Sequence, residues 1–367
     1  MGLEHRFGVS MDTGRMVAQF MEMVRIPSES GDEARFMAWL LPRLEEVGAR
    51  AQLDAYGNLI ASLPAKDSAA DPILLSCHGD TVKPGTGIEP VLKDGVIRSS
   101  GDTILGADDK AGIAEMLEAL RIAPVRPPVE IAISRQEEVG LLGVKKLDYS
   151  LLTARRGFLL DNDTLETIVT GGPSYFAIDV TVTGKSAHAG MEPEKGINAI
   201  QAASRAIAAL PLGRLDHETT ANVGVIKGGM IRNGVPDTCT FAAECRSLTH
   251  DKGQTLADEM VRVIRREVEG VGARAGIEVN ALCKASSIAD DAWTVLVSQR
   301  ALAALGIQAK PALMCGFTDA SIYNNMGIEM AVVGIGARLE HSLDEHIYVE
   351  DMERAVAMIV EILRLSA

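Results

Sequence analysis

No two of the five cysteines (Cys77, Cys239, Cys245, Cys283 and Cys315) stand in CxxC spacing, and an odd number cannot all pair. That argues against a disulfide framework and for a reducing compartment. No apolar stretch approaches the ~18 residues needed to span a bilayer. The segment Met1 to Ser10 carries charges at Glu4, His5 and Arg6 and lacks the apolar run of a signal peptide. A cytoplasmic protein without membrane contact is expected. Basic runs are missing as well. With a net charge of −14 the chain would repel a phosphate backbone, so no nucleic-acid partner is expected. The acidic excess serves solubility, or gathers cations into a cleft. There are no internal repeats and no low-complexity segments.

What is present is a large apolar complement. The 367 residues are 47% hydrophobic and 23% charged, an ordinary globular composition. That is more chain than one core usually supports, so two domains are expected. The first third alternates helix and strand. Met16, Val17, Phe20, Met21 and Val24 recur at helical spacing up to Pro27, and a second helix over about Glu33–Val47 stops at Gly48. Short apolar runs follow at Asn58–Ser62, Pro72–Cys77, Val129–Ser134 and Gly157–Leu160, with a helix at Ala111–Ile122 between two of them. This repetition predicts an α/β fold: a mixed, mostly parallel sheet with helices on both faces. Near Ser174 the pattern changes. Phe176, Ile178, Val180 and Val182 alternate as on a half-exposed strand, and the order βαββαβ through Lys284 predicts an inserted ferredoxin-like α+β domain over residues 174–284. Residues 1–173 and 285–367 would form the main domain.

The chemistry-bearing residues gather at predicted strand ends, where open parallel sheets bind ligands. The run Ile73–Cys77 ends in His78-Gly79-Asp80. Residues two apart on an extended chain point the same way, so Asp80 can hold a proton on one nitrogen of His78 while the other binds a metal. A structural His–Asp pair would read identically. Gly106-Ala107-Asp108-Asp109-Lys110 opens a helix, and its carboxylates are either ligands or caps. Val129–Ser134 delivers Glu137 and Glu138, adjacent acids that repel unless a positive charge lies between them. Gly157–Leu160 ends in Asp161-Asn162-Asp163, and His341 arrives from the C-terminal part. Five N/O donors from separate segments suit two borderline-hard divalent cations, zinc first, with manganese or cobalt as alternatives.

His78-Gly79-Asp80-Thr81-Val82, Leu105 to Gly112, Glu137-Glu138, Asp161 and His341 to Glu345 resemble, in order, the dizinc metallopeptidases typified by aminoacylase, carboxypeptidase G and peptidase T, most closely the peptidase T-like branch. The resemblance runs from about Met11 to Leu365. It implies a metal-dependent exopeptidase acting on short peptides, with an N-acyl amino acid deacylase or carboxypeptidase as the alternative. His78 and Asp161 would hold one metal, Glu138 and His341 the other, and Asp108 would bridge both. Asp80 would orient His78, with Asp109 and Asp163 as substitutes for Asp108 and Asp161. Glu137 would act as general base on a water held between the ions. The Asp108–Asp109 peptide is expected to be cis.

In the inserted domain, Gly184 to Gly190 resembles the family's dimerisation domain. His188 would then reach a partner's active site and steady the developing oxyanion, making the protein a homodimer. Asn233, Arg246 and Gly316 resemble substrate-facing positions. Arg246 suits a substrate carboxylate or a structural ion pair equally well. Two positions depart from the family pattern: Phe317 replaces a usual glycine, and His346 stands where tyrosine is common.

Overall fold

The computed structural model describes residues 10–367, so the charges at Glu4, His5 and Arg6 lie outside the described residues. It divides into two compact units. One is the chain up to Gly171 together with Ser287–Met314 and Thr318–Ala367; the other is Gly172–Ser286 with Cys315–Phe317.

The first unit is built on one large mixed sheet. Its spatial order runs Arg50–Leu53, Leu59–Leu63, Val129–Ser134, Ile73–His78, Arg156–Asn162, Glu329–Gly334, Thr167–Gly172. The central four of these strands pair in parallel, and the first two are antiparallel. The strand Lys310–Leu313 adds in parallel beside Thr167–Gly172. Every residue of Ile73–His78 and of Val129–Ser134 is buried. That is why these segments read as continuous apolar runs and not as alternations. Alternate residues serve opposite faces. Ile73, Leu75 and Cys77 join the main core, while Ser76 between them meets the Tyr323 hydroxyl of the helix Asp319–Asn325 at 3.1 Å. Helices therefore cover both faces, as the sequence pattern requires.

The helix Ala107–Ile122 packs against Ile73–His78 and Arg156–Asn162, flanked by Val349–Leu365 and Thr13–Arg25. From Lys110 to Leu120 all of it is buried, which its small and aliphatic side chains allow. Among its buried charged side chains, Glu118 is matched by Arg15, whose Nη2 lies 2.7 Å from Oε1 and whose Nε donates to Oε2 at 3.1 Å. Buried carboxylates persist where they are paired in this way.

Gly157 shows how closely the central strands approach. A Cβ placed there would come within 2.2 Å of the Leu74 carbonyl oxygen, and backbone cannot move aside as a side-chain tip can. Gly157→Ala is expected to lower stability by about 3 kcal/mol, at the upper end of typical overpacking costs. A thermal midpoint within a degree of wild type would contradict this account of the strand spacing.

The second unit has an antiparallel sheet in the order Gly213–Arg214, Thr219–Gly228, Thr238–Ser247, Ser174–Thr183, Arg274–Cys283. Leaving out the short first strand, the order of the four long strands together with the helices Ala199–Ala209 and His250–Glu269 is the ferredoxin-like arrangement. Phe176, Ile178, Val180 and Val182 point into this unit's own core. Its bounds differ slightly from the sequence expectation, because Cys315–Phe317 groups with it. Strands of two to four residues escaped sequence reading altogether. Pro90–Lys93, Val96–Ser99, His346–Tyr348 and Ala337–Arg338 form a small separate sheet. Among the described residues no helix is long and apolar enough to cross a membrane.

Candidate active site

The four strand and loop ends singled out in the sequence meet beyond the carboxyl edge of the first unit's sheet. His78 closes its strand and is 2% exposed. Its Nε2 lies 3.0 Å from Asp108 Oδ1 and 3.5 Å from Asp161 Oδ1. His341 Nε2 lies 2.9 Å from Glu138 Oε1 and 3.2 Å from Asp108 Oδ2. Asp108 thus offers one oxygen to each imidazole, as a shared ligand should. Two overlapping groups have donor atoms within 4.8 Å of one another: His78, Asp108 and Glu138, and His78, Asp109 and Asp161. The peptide Asp108–Asp109 is cis.

Local backbone explains how adjacent residues take different tasks. Gln136 sits at φ +52°, a conformation unusual for a side-chain-bearing residue, and bends the chain sharply after the strand Val129–Ser134. The bend turns the N–H groups of both Glu137 and Glu138 toward Asp80, which accepts them at 2.9 and 3.2 Å, and Ser30 Oγ donates to the same carboxylate at 2.7 Å. Asp80 also faces His78. The proton on His78 Nδ1 is taken mainly by the backbone oxygen of Asp80 at 3.0 Å, with the carboxylate at 3.6 Å. The carboxylate also ties the Glu137–Glu138 turn to the His78 strand.

Asp108 and Asp109 both have non-helical backbone angles and form a kink near the start of Ala107–Ile122. Asp109 accepts the His78 N–H at 3.0 Å through Oδ2, while its buried Oδ1 has no partner. Asp163 is exposed, and its carbonyl accepts from Arg338. Lys110 is fully buried, donates to the Ile26 carbonyl at 2.8 Å and lies over the Phe36 ring.

Six carboxylates (Asp80, Asp108, Asp109, Glu137, Glu138 and Asp161) crowd around two imidazoles. Burial pushes Glu137, Glu138 and Asp109 above the ordinary carboxylate range and Asp161 up to about 7. Burial also acts to lower His78, but the hydrogen bonds it donates to Asp108, Asp161 and Asp80 override it and raise the ring well above its usual value. His341 is raised to about 10 by Asp108 and Glu138. An excess of buried acid with mixed N/O donors and an orphaned carboxylate oxygen is a setting that divalent cations relieve, so the residues fit such ions.

Sequence reading gave no role to Asp319. It is buried, accepts a hydrogen bond from Ser134 Oγ through Oδ2, and is raised by burial to about 7. The signal was its place three residues after Gly316, which resembles a substrate-facing position.

Comparison with known proteins decides the family. The chain is 36% identical to an aminopeptidase PepT from Bacillus cereus, covering 97% of this chain and 99% of that one with a TM-score of 0.87. A tripeptidase from Staphylococcus aureus matches at 31% identity over 97% and 99%, with a TM-score of 0.91. This chain belongs to the M20 peptidase family. Residues 174–286 match the sequence profile of the peptidase dimerisation domain. An acetylornithine deacetylase from Myxococcus xanthus is 30% identical over 86% of this chain and 88% of its own. The protein is a hydrolase of the M20 metallopeptidase type, acting on peptide bonds.

In this M20 peptidase the remaining candidates lie in the second unit. His188 is exposed on the short strand Ala187–His188, which pairs with Gly234–Val235. The N–H groups of Gly190 and Met191 both donate to its Nδ1 at 3.2 Å, so the neutral ring carries its proton on Nε2. Asn233 is exposed, and its carbonyl accepts from Ala189. Arg246 is engaged structurally. Its Nε and Nη2 both donate to Glu244 Oε2, at 3.0 and 2.8 Å, and its guanidinium lies 4.5 Å from the Tyr175 ring centre and 5.4 Å from that of Phe317. The departure at Phe317 is thereby explained, since its ring stacks on Tyr175 at 5.2 Å. Gly316 lies between Phe317 and Cys315, whose carbonyl accepts from Arg246 at 3.3 Å. His346 Nδ1 lies 2.8 Å from the Asp344 carbonyl oxygen.

Proposed function

We propose that the protein is an exopeptidase of the aminopeptidase or tripeptidase type, removing residues from short peptides, with two divalent ions held by His78, Asp108, Glu138, Asp161 and His341. The observation that carries this reading is the meeting of His341 with Glu138 and Asp108, side chains more than 200 residues apart in sequence. Zinc is the preferred metal, with manganese or cobalt as alternatives, because the donors are imidazole nitrogens and carboxylate oxygens. When bound, such ions polarise a scissile carbonyl and lower the pKa of water. Glu137, buried and free of any ligand task, takes a proton from the attacking water and returns it to the leaving nitrogen as the C–N bond breaks. Asp80 holds Glu137 in place through its backbone N–H. The dimerisation-domain match supports a homodimer in which His188 donates from Nε2 to a developing oxyanion, and Asn233, Arg246 and Gly316 are candidates for facing the substrate.

Likeness to an aminopeptidase and a tripeptidase supports an enzyme that holds a free α-amino group. The acetylornithine deacetylase relative favours a second reading, cleavage of N-acyl amino acids. Assaying zinc-loaded protein on free tripeptides, dipeptides and N-acetyl amino acids separates them. Free tripeptides are expected to be cleaved from the amino end at least tenfold faster than any N-acetyl compound, and the reverse preference would establish the deacylase.

A further inference from the structure

We propose that Glu345 is a positioning residue for the metal centre, fixing the turn that carries Asp108 against the segment that carries His341. The inference rests on the ligand set proposed above. Glu345 is 2% exposed. Its Oε2 accepts from the N–H groups of Leu105 and Gly106, both at 2.8 Å, and its Oε1 from those of Ala107 and Asp108, at 2.7 and 3.2 Å. Four consecutive backbone donors thus fill the acceptor capacity of one carboxylate. They lie in the turn where Gly106 takes φ +72°, ahead of the kink at Asp108 and Asp109 from which the chain runs on as helix to Ile122.

The two ends of this contact bear different parts of the centre. Asp108 is both the last of the four donors and the carboxylate that faces His78 at 3.0 Å and His341 at 3.2 Å. Glu345 follows His341 by four residues, and His346–Tyr348 immediately after it pairs with Val96–Ser99. The His341 segment is therefore anchored on a sheet, and Glu345 is its rigid reach back to Asp108. His341 itself is half-exposed and sits at φ +60°. It has little packing of its own to set its distance from Asp108. Capping alone would be served by any acceptor; joining two ligand-bearing segments needs this residue at this place.

The test is a zinc titration of metal-stripped full-length protein by calorimetry, with unfolding midpoint and tripeptide kinetics measured alongside. Glu345→Gln keeps the shape but turns an N–H₂ toward two of the four backbone donors. Zinc affinity is expected to fall 10- to 100-fold for at least one ion, the usual range for partners of metal ligands, with kcat falling and KM little changed. Glu345→Asp keeps the acceptors on a shorter arm and should land between Gln and wild type. Wild-type zinc affinity in folded Glu345→Gln overturns the proposal. If that variant does not fold, the Asp variant decides in the same way. If neither folds, Glu345 serves the fold and not the centre, and the proposal fails. His341→Ala in the same titration should lose tight binding of one ion. If it keeps both, the ligand assignment is wrong, whatever Glu345 does.

Discussion

Glu137→Gln is expected to take up zinc as the wild type does while kcat falls roughly 10²- to 10⁴-fold, the usual contribution of a positioned acid–base group. The side chain is buried, keeps its shape in the amide, and lies outside both candidate ligand groups, so neither folding nor metal uptake should suffer. What disappears is the acceptor proposed for the proton of the attacking water. Zinc stoichiometry by mass spectrometry and steady-state kinetics on a tripeptide check the two halves separately. A variant with two ions and near wild-type turnover would remove Glu137 from the mechanism. A variant lacking zinc would make it a ligand.

Chelation should have an effect of similar size on activity and a larger one on stability. Six acidic groups around two imidazoles are held together against mutual repulsion, so stripping the ions is expected to abolish turnover and lower the unfolding midpoint. At a free zinc concentration a thousandfold above Kd, each ion contributes about 4 kcal/mol to the folded state. Adding zinc back should restore both. Apparent zinc affinity should weaken as pH falls, because ligation needs neutral imidazole and His341, raised to about 10 by Asp108 and Glu138, must give up a proton to bind. Full activity in excess chelator, with no bound ion remaining, would end the metal-centre reading.

Much of the site legible in the sequence lies just past an apolar run short enough to be a buried strand: His78 and Asp161 within or at the end of their strands, Glu137 and Glu138 within four residues of Ser134. Their neighbours in the chain already announce that they sit at a sheet edge, and the motif order does the rest. Glu345 was visible only as a letter in a motif, because what it does depends on amides about 240 residues away, and no local pattern encodes that distance. A second task of Asp80 went unseen for a related reason. A two-residue spacing placed the carboxylate beside His78 correctly, but the positive φ of Gln136, which turns two N–H groups toward it, leaves no mark in residue types. The contacts of Arg246 with Glu244, Tyr175 and Phe317 were likewise invisible, since two of the three partners lie about 70 residues away in the chain. The small sheet of Pro90–Lys93, Val96–Ser99, His346–Tyr348 and Ala337–Arg338 is too short in each strand to show a period.

The strand Glu329–Gly334 lies in the middle of the large sheet, between Arg156–Asn162 and Thr167–Gly172, which precede it by more than 150 residues. During synthesis those two earlier strands emerge with a vacant slot between them, exposing unpaired N–H and carbonyl groups on both sides. The antiparallel unit in between can close on its own contacts while that slot waits. A ribosome stalled before residue 329 would hold a finished second unit beside a split, aggregation-prone first one. Because His341 comes later still, the nascent chain reaches its full ligand set only after the slot has been filled, so an unfinished chain carries no working peptidase.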